Sequence, residues 1–244
     1  MPVTLNLALA QKALKAFADK SQARILQSFF KTGKGQYGEG DIFIGVTTPQ
    51  IRKIAKQYLW LTFTEIKSLL QSRIHECRLL GLLILIGQYQ KGDEKVKGKI
   101  FNFYLKHALR ANSWDLVDLS APQIVGDFLL GKNKKILYRL AALDNLWPRR
   151  IAVVATLAFI RHNQLNDTFK ITGILMNDKE ELIHKACGWM LREAGKRNKS
   201  RLKHFLKEYC RVMPRTMLRY AIERLTNKEK LSYMVRPKNY GKNG

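Results

Sequence analysis

Residues 75–111 read HECRLLGLLILIGQYQKGDEKVKGKIFNFYLKHALRA, and this stretch decides the fold. Its first half contains LLGLLILIG at 79–87, the longest apolar run of the chain. A membrane-spanning helix needs about 20 apolar residues, so the run is too short to cross a bilayer and is expected in a core. A Gly-Asp pair at 92–93 interrupts it, and a second helical segment follows from Asp93 to Ala111. The unit is a pair of helices joined by a tight polar turn.

Working outward, the pair recurs. One set of helices is predicted to begin near His75, Ser113, Pro148, Glu181 and Pro214. Between them lie second helices in DEKVKGKIFNFYLKHALRA, KKILYRLAALD, DTFKITGILM and SRLKHFLKEYC. The starts fall roughly 35 residues apart with some drift and no strict consensus, as in degenerate repeats of helical pairs. Only six prolines occur, and no Val/Ile/Thr-rich alternating stretch stands out. An all-α fold is therefore expected, a curved α-solenoid with a concave face suited to a convex partner such as a duplex. Upstream, KTGKGQYGEGD at 31–41 reads as an irregular loop. In IFIGVTTPQIRKIAKQY, Thr48 is the expected N-cap and Pro49 the first helical residue. Residues 1–235 are expected to form a single repeat domain, and 236–244, RPKNYGKNG, a basic flexible tail.

Charge speaks to partners. Lys and Arg number 44 against 19 Asp and Glu, a formal net charge of +25. A polyanion is the expected partner, nucleic acid first among them. Cys77, Cys187 and Cys210 have no CxxC or zinc spacing, and buried reduced thiols are expected rather than a disulfide framework or a metal site. The first twenty residues read as an amphipathic helix without the features of a leader. A soluble, cytoplasmic protein is expected. No Gly-rich phosphate loop, HExxH or GxSxG occurs, so nothing supports nucleotide hydrolysis, zinc proteolysis or serine hydrolysis.

Three segments hold the candidate site residues. In SWDLVD (113–118), Ser113 suits an N-cap and Asp115 the first helical turn, where the dipole favours negative charge. Trp114 and Asp118 share one helical face. Asp118 lies beyond capping reach, so it is either an ion-paired Asp or a carboxylate aimed into the groove. In DNLWPRRIAVVATLAFI (144–160), Arg150 falls at the edge of a buried stripe and Arg149 is turned about 100° away. An Arg at a helix start opposes the dipole, and a bound phosphate would reverse that cost. In ELIHKACGWMLREAGKRNKSR (181–201), Gly188 permits close approach of a neighbour. Trp189 is either a core or a cleft residue, and His184 reads as structural. Lys185, Arg192, Lys196, Arg197 and Lys199 supply a basic surface for phosphate contacts.

With FIGVTTPQIRKIAK (43–56), SWDLVD, NLWPRRIA (145–152), IHKACGWMLREAGK (183–196) and MPRTMLRYAIERL (213–225) in this order, the chain resembles the AlkD-like family of DNA alkylation repair enzymes. These are alkylpurine DNA glycosylases built from HEAT-like repeats. The resemblance implies a solenoid with a basic concave groove that cradles duplex DNA. It also implies excision of cationic N3- and N7-alkylated purines, without a metal or cofactor, by a monomer associated with the nucleoid through DNA. Carried over by motif, it makes Asp118 the catalytic carboxylate, Trp114 and Trp189 cleft tryptophans, and Arg150 the cleft arginine, with Arg149 beside it. A cationic purine can leave as a neutral base, so a single carboxylate suffices to stabilise the sugar and orient water. The competing expectations are a non-catalytic helical-repeat protein that binds unusual DNA structures, an RNA- or ribosome-associated scaffold, and a protein-binding solenoid.

Overall fold

The computed structural model describes residues 5–234; the predicted tail at 236–244 lies outside them. The fold is all-α. Among the described residues there is no strand, and a single bridge pairs Ile42 with Ile74. No helix among them is long and apolar enough to cross a membrane. The chain divides between Lys132 and Asn133 into two compact units.

The first unit contains α1 (Leu5–Lys15), α2 (Lys20–Phe29), α3 (Thr48–Gln57), α4 (Phe63–Leu70), α5 (His75–Lys91), α6 (Glu94–Lys106) and α7 (Trp114–Ser120). Helix α5 carries the apolar run and is buried almost all round from His75 to Ile86. It packs against α3, α4 and α7, as expected of a helix whose apolar residues are not confined to one stripe. Capping sets the starts. The Asp93 carboxylate accepts from Val96 N at 2.8 Å to open α6. Thr62 N donates to Glu65 Oε2 at 2.8 Å at the start of α4. In α3 the N-cap is Thr47 rather than the expected Thr48, with Thr47 N donating to Gln50 Oε1 at 2.9 Å. Pro49 therefore stands second in the helix, where its missing N–H still costs nothing.

The loop at 31–41 is irregular as expected, with Lys31, Gly35 and Gly40 at positive φ. Gly45 lies just beyond it at φ 84°, and a Cβ there would stand 2.0 Å from Asp19 O. Only glycine fits. The carboxylate of Glu76 accepts from Ile44 N, Gly45 N and Val46 N, which fixes this crossing onto α5.

The second unit contains α8 (Lys135–Ala141), α9 (Leu146–Arg161), α10 (Asn166–Ile174), α11 (Glu181–Arg197), α12 (Lys199–Tyr209), α13 (Arg215–Ile222) and α14 (Asn227–Met234). Helix α9 is its central element and packs on α8, α10 and α11. Asn145 caps it by accepting from Trp147 N at 3.0 Å, and Pro148 falls in its first turn. Gly188 lets α11 approach α13 closely, since a Cβ there would stand 2.5 Å from Met217 O and from Tyr220 Cβ. The expected helix starts at 75, 113, 148, 181 and 214 correspond to α5, α7, α9, α11 and α13, within two residues each. Cys77 and Cys187 are buried, Cys210 half-buried, and all three are free thiols.

Candidate active site

In the first unit the site is organised around α7. Ser113 holds the N-cap position in extended conformation, and Trp114 and Asp118, one turn apart, are both half-buried. The indole of Trp114 stacks on Phe30 with centroids 5.4 Å apart and planes 13° from parallel. Phe29 meets it edge-on at 6.1 Å, and its Nε1–H donates to Tyr37 Oη at 3.1 Å. The stack continues from Phe30 to Phe43 at 4.9 Å and from Phe43 to His75 at 4.5 Å. Four rings thus join the end of α2, the segment before α3, the start of α5 and the start of α7. Trp114 is fixed through one face and one edge. Phe30, Tyr37, Phe43 and His75 were not among the expected site residues, because nothing in local periodicity links positions so far apart.

Asp115 does more than serve the helix end. Its Oδ2 lies 2.8 Å from His75 Nε2, and Nδ1 of the same ring lies 3.4 Å from Asp41 Oδ2. Arg78 in turn pairs with Asp41 and donates to Ser72 O at 2.9 Å. Burial alone would lower the pKa of His75, but its bonds to Asp115 and Asp41 outweigh burial and raise it. Burial alone would raise that of Asp115, and the His75 bond overcomes it to hold the carboxyl below its ordinary range. Both shifts favour an ion pair. Only the imidazolium donates from both nitrogens, and Arg78, which pairs with Asp41, also stands 3.4 Å from Nδ1.

Asp118 lies close to Tyr104, whose hydroxyl is 2.8 Å from Ser120 Oγ. The Tyr104 phenol is pushed up by burial and further by the charge of Asp118, with the Ser120 bond opposing. After Ser120 the chain widens into a π-type segment, Ala121–Gly126, that includes Pro122. Such bulges recur at functional positions in helices. Among the described residues no group of three or more His, Cys, Asp or Glu is placed to hold a metal.

In the second unit, Arg149 and Arg150 are both engaged. Arg149 forms a two-pronged pair with Asp178, Nε to Oδ2 at 2.6 Å and Nη2 to Oδ1 at 3.2 Å. Arg150 is buried more deeply than the expected core edge, and its guanidinium donates to the Leu182 carbonyl. His184 is structural, with Nε2 2.6 Å from Asp178 O. Trp189 is half-buried and borders a cavity of about 520 Å³ together with Leu157, Arg161, Glu193, Lys196 and Arg197. The expected phosphate-binding cations carry local carboxylates: Lys185 with Glu181 at 3.2 Å, Lys196 with Glu193 at 2.8 Å, and Arg192 with Glu193 and Glu223. Arg161, absent from the expected set, adds a cation to the cavity wall.

Comparisons with known proteins agree with this architecture. The family described as DNA alkylation repair enzyme matches residues 10–225. A predicted DNA alkylation repair enzyme from Enterococcus faecalis is similar in structure, with a TM-score of 0.69 at 20% identity over 86% of this chain and 97% of that one. AlkD2 from Streptococcus mutans is similar with a TM-score of 0.52 at 17% identity, over 89% and 96% of the two chains. At such identities the structures speak for the fold alone. No curated protein sequence matches the chain. The family match spans most of the sequence, and the chain belongs to the family of DNA alkylation repair enzymes.

Proposed function

We propose that the protein is a DNA glycosylase that excises cationic N3- and N7-alkylated purines from duplex DNA. The observation that carries this reading is the half-buried carboxylate of Asp118 one helical turn from Trp114, whose indole is pinned against Phe30 and Tyr37. Most glycoside hydrolysis uses a second carboxyl group to protonate the leaving group. An N7- or N3-alkylpurine carries its positive charge already, so breaking the C1′–N bond releases a neutral base. Positive charge then develops on the sugar. The Asp118 carboxylate opposes it, orients the water that adds to C1′, and receives the proton that water loses. The face of Trp114 turned from Phe30 attracts the cationic nucleotide by about 0.5–2 kcal/mol, depending on desolvation.

In the second unit, Trp189 with Lys196 and Arg197 offers an aromatic and cationic surface to the DNA backbone. Lys185, Arg192 and Arg150 are assigned to the same backbone role, where a phosphate would compete with the carboxylates beside Lys185 and Arg192 and with the Leu182 carbonyl on Arg150. Arg149 is assigned with them, although its pair with Asp178 already uses two of its nitrogens.

The test is release of N7-methylguanine and N3-methyladenine from methylated duplex DNA, wild type beside Asp118→Asn. Release by wild type, reduced about 100- to 10,000-fold in the variant with duplex binding retained, is the expected result. Equal release by both removes Asp118 from the chemistry. Binding without release by either overturns the glycosylase reading in favour of a non-catalytic DNA-binding protein.

A further inference from the structure

We propose that His75 is a positioning residue for excision: clamped between Asp41 and Asp115, it fixes the first turn of α7 and so the place of Trp114 and Asp118. The inference rests on the glycosylase reading of Asp118. Three observations carry it. His75 bonds Asp115 at 2.8 Å, and Asp115 immediately follows Trp114 and stands three residues before Asp118 in the first turns of α7. The same imidazole stacks on Phe43, and through Phe43 and Phe30 the ring stack ends on Trp114. His75 itself is held from behind by Asp41, which Arg78 and the Gln27 side chain bonded to the Asp41 carbonyl keep in place. Two separate chains of contact therefore run from one buried ring to the two site residues of α7.

Helix α7 runs on into the π-type segment to Gly126, so its C-terminal end is held by continuity and its N-terminal end by side-chain ties. At the N-terminal end that tie is Asp115 to His75. The charged groups facing the imidazole are Asp115 from α7, Asp41 from the preceding loop and Arg78 from α5 itself. An imidazolium serves both carboxylates, whereas a neutral ring that keeps Nε2–H on Asp115 turns Nδ1 to the Arg78 guanidinium 3.4 Å away and releases only Asp41. The tie that positions α7 is therefore the Nε2 donor, within a site whose chemistry uses a different residue.

The experiment is single-turnover release of N7-methylguanine from methylated duplex across pH 5.5 to about 9, at a temperature where thermal melts show every variant folded. His75→Gln places an amide donor near the position of Nε2 and keeps the bond to Asp115. His75→Asn is too short to reach. The expected result is a loss of about 10- to 100-fold in His75→Asn, with undamaged-duplex affinity unchanged, and restoration to within about threefold in His75→Gln. Because a neutral ring can keep Nε2–H on Asp115, wild type and His75→Gln are expected to share one pH profile. Should His75→Asn fail to fold, Asp115→Ala serves instead, since it removes the acceptor of the same bond and is expected to lose rate by a similar factor. A rate equal to wild type in His75→Asn or Asp115→Ala overturns the proposal. Release by wild type that is lost in Asp118→Asn leaves the glycosylase reading standing in either case. Absence of release by wild type defeats that reading and this inference together.

Discussion

The first turns of α7 and α9 each hold a half-buried ionic group, and they manage it in opposite ways. At α7 the group is Asp115, whose negative charge suits a helix N-terminus and whose partner is His75. At α9 it is Arg149, whose positive charge opposes the dipole and whose partner is the buried Asp178. A dipole contributes about 0.3–1 kcal/mol at a helix end, whereas each hydrogen bond to a charged group contributes about 1.5–3 kcal/mol. The partner therefore decides the matter at both helices. At α7 the local rule and the partner agree; at α9 the partner overrules it. A second difference follows from the chemistry of the two cations. Imidazolium sheds its proton near neutral pH, and guanidinium keeps its charge throughout the range in which proteins fold. As pH rises through neutrality, the first unit's cation is lost and the second unit's is kept.

The largest effect is expected at Asp178→Ala. It leaves the guanidinium of Arg149 largely enclosed with no means of neutralising itself, and a loss of about 3–5 kcal/mol is expected in urea unfolding. A loss below about 1 kcal/mol would break the comparison, because the dipole and not the partner would then be setting the balance.

The next effect is the pH profile of stability. His75 is raised in the folded state, so its contribution is complete below its ordinary value near 6.5 and is lost as pH rises through the raised one. Asp115 is lowered, so its contribution is present above 3.8 and lost as pH falls through the lowered value. The pair therefore stabilises most between about pH 4 and 6.5. Thermal melts of wild type should show a decline on the alkaline side that His75→Gln lacks and Asp178→Ala retains. A decline that persists in His75→Gln would assign it to another group.

What was legible in the sequence follows from the range of the forces involved. The helical pairs were readable from apolar period and turn residues because both act within a few positions. The buried run at 79–87 became the core of α5 for that reason, and Gly188 was correctly expected to admit a close neighbour. Thr47 replaced Thr48 as a cap because both can serve and the Gln50 side chain selects between them. Arg150 was placed at the edge of the stripe because periodicity fixes a direction but not the depth of the covering layer, which here includes the Leu182 carbonyl of α11. His75 was invisible as a partner of Asp115 since 40 residues separate them. A buried histidine beginning one helix and a carboxylate in the first turn of another offer no spacing rule to connect them. The family's motif marked Trp114 and Asp118, but not the ring stack and ion pair that hold them.

The smallest expected effect separates surface charge from buried charge. Lys185 pairs with Glu181 one turn away on α11, and both side chains are substantially exposed. Lys185→Ala should change stability by less than about 0.5 kcal/mol, far below the change expected at Asp178. If Lys185 faces a DNA phosphate, the same substitution lowers duplex affinity and reduces the salt slope by about one. Titrating duplex at several salt concentrations measures this directly. An unchanged slope would mean that Glu181 holds Lys185 away from DNA, and the phosphate contacts would then fall to cations without a neighbouring carboxylate. Arg161 and Arg197 on the Trp189 cavity are the first to test, since among the described residues neither has a carboxylate partner. A slope reduced without loss of stability would establish that a positive side chain tied to a neighbour on its own helix is still available to a stronger anion.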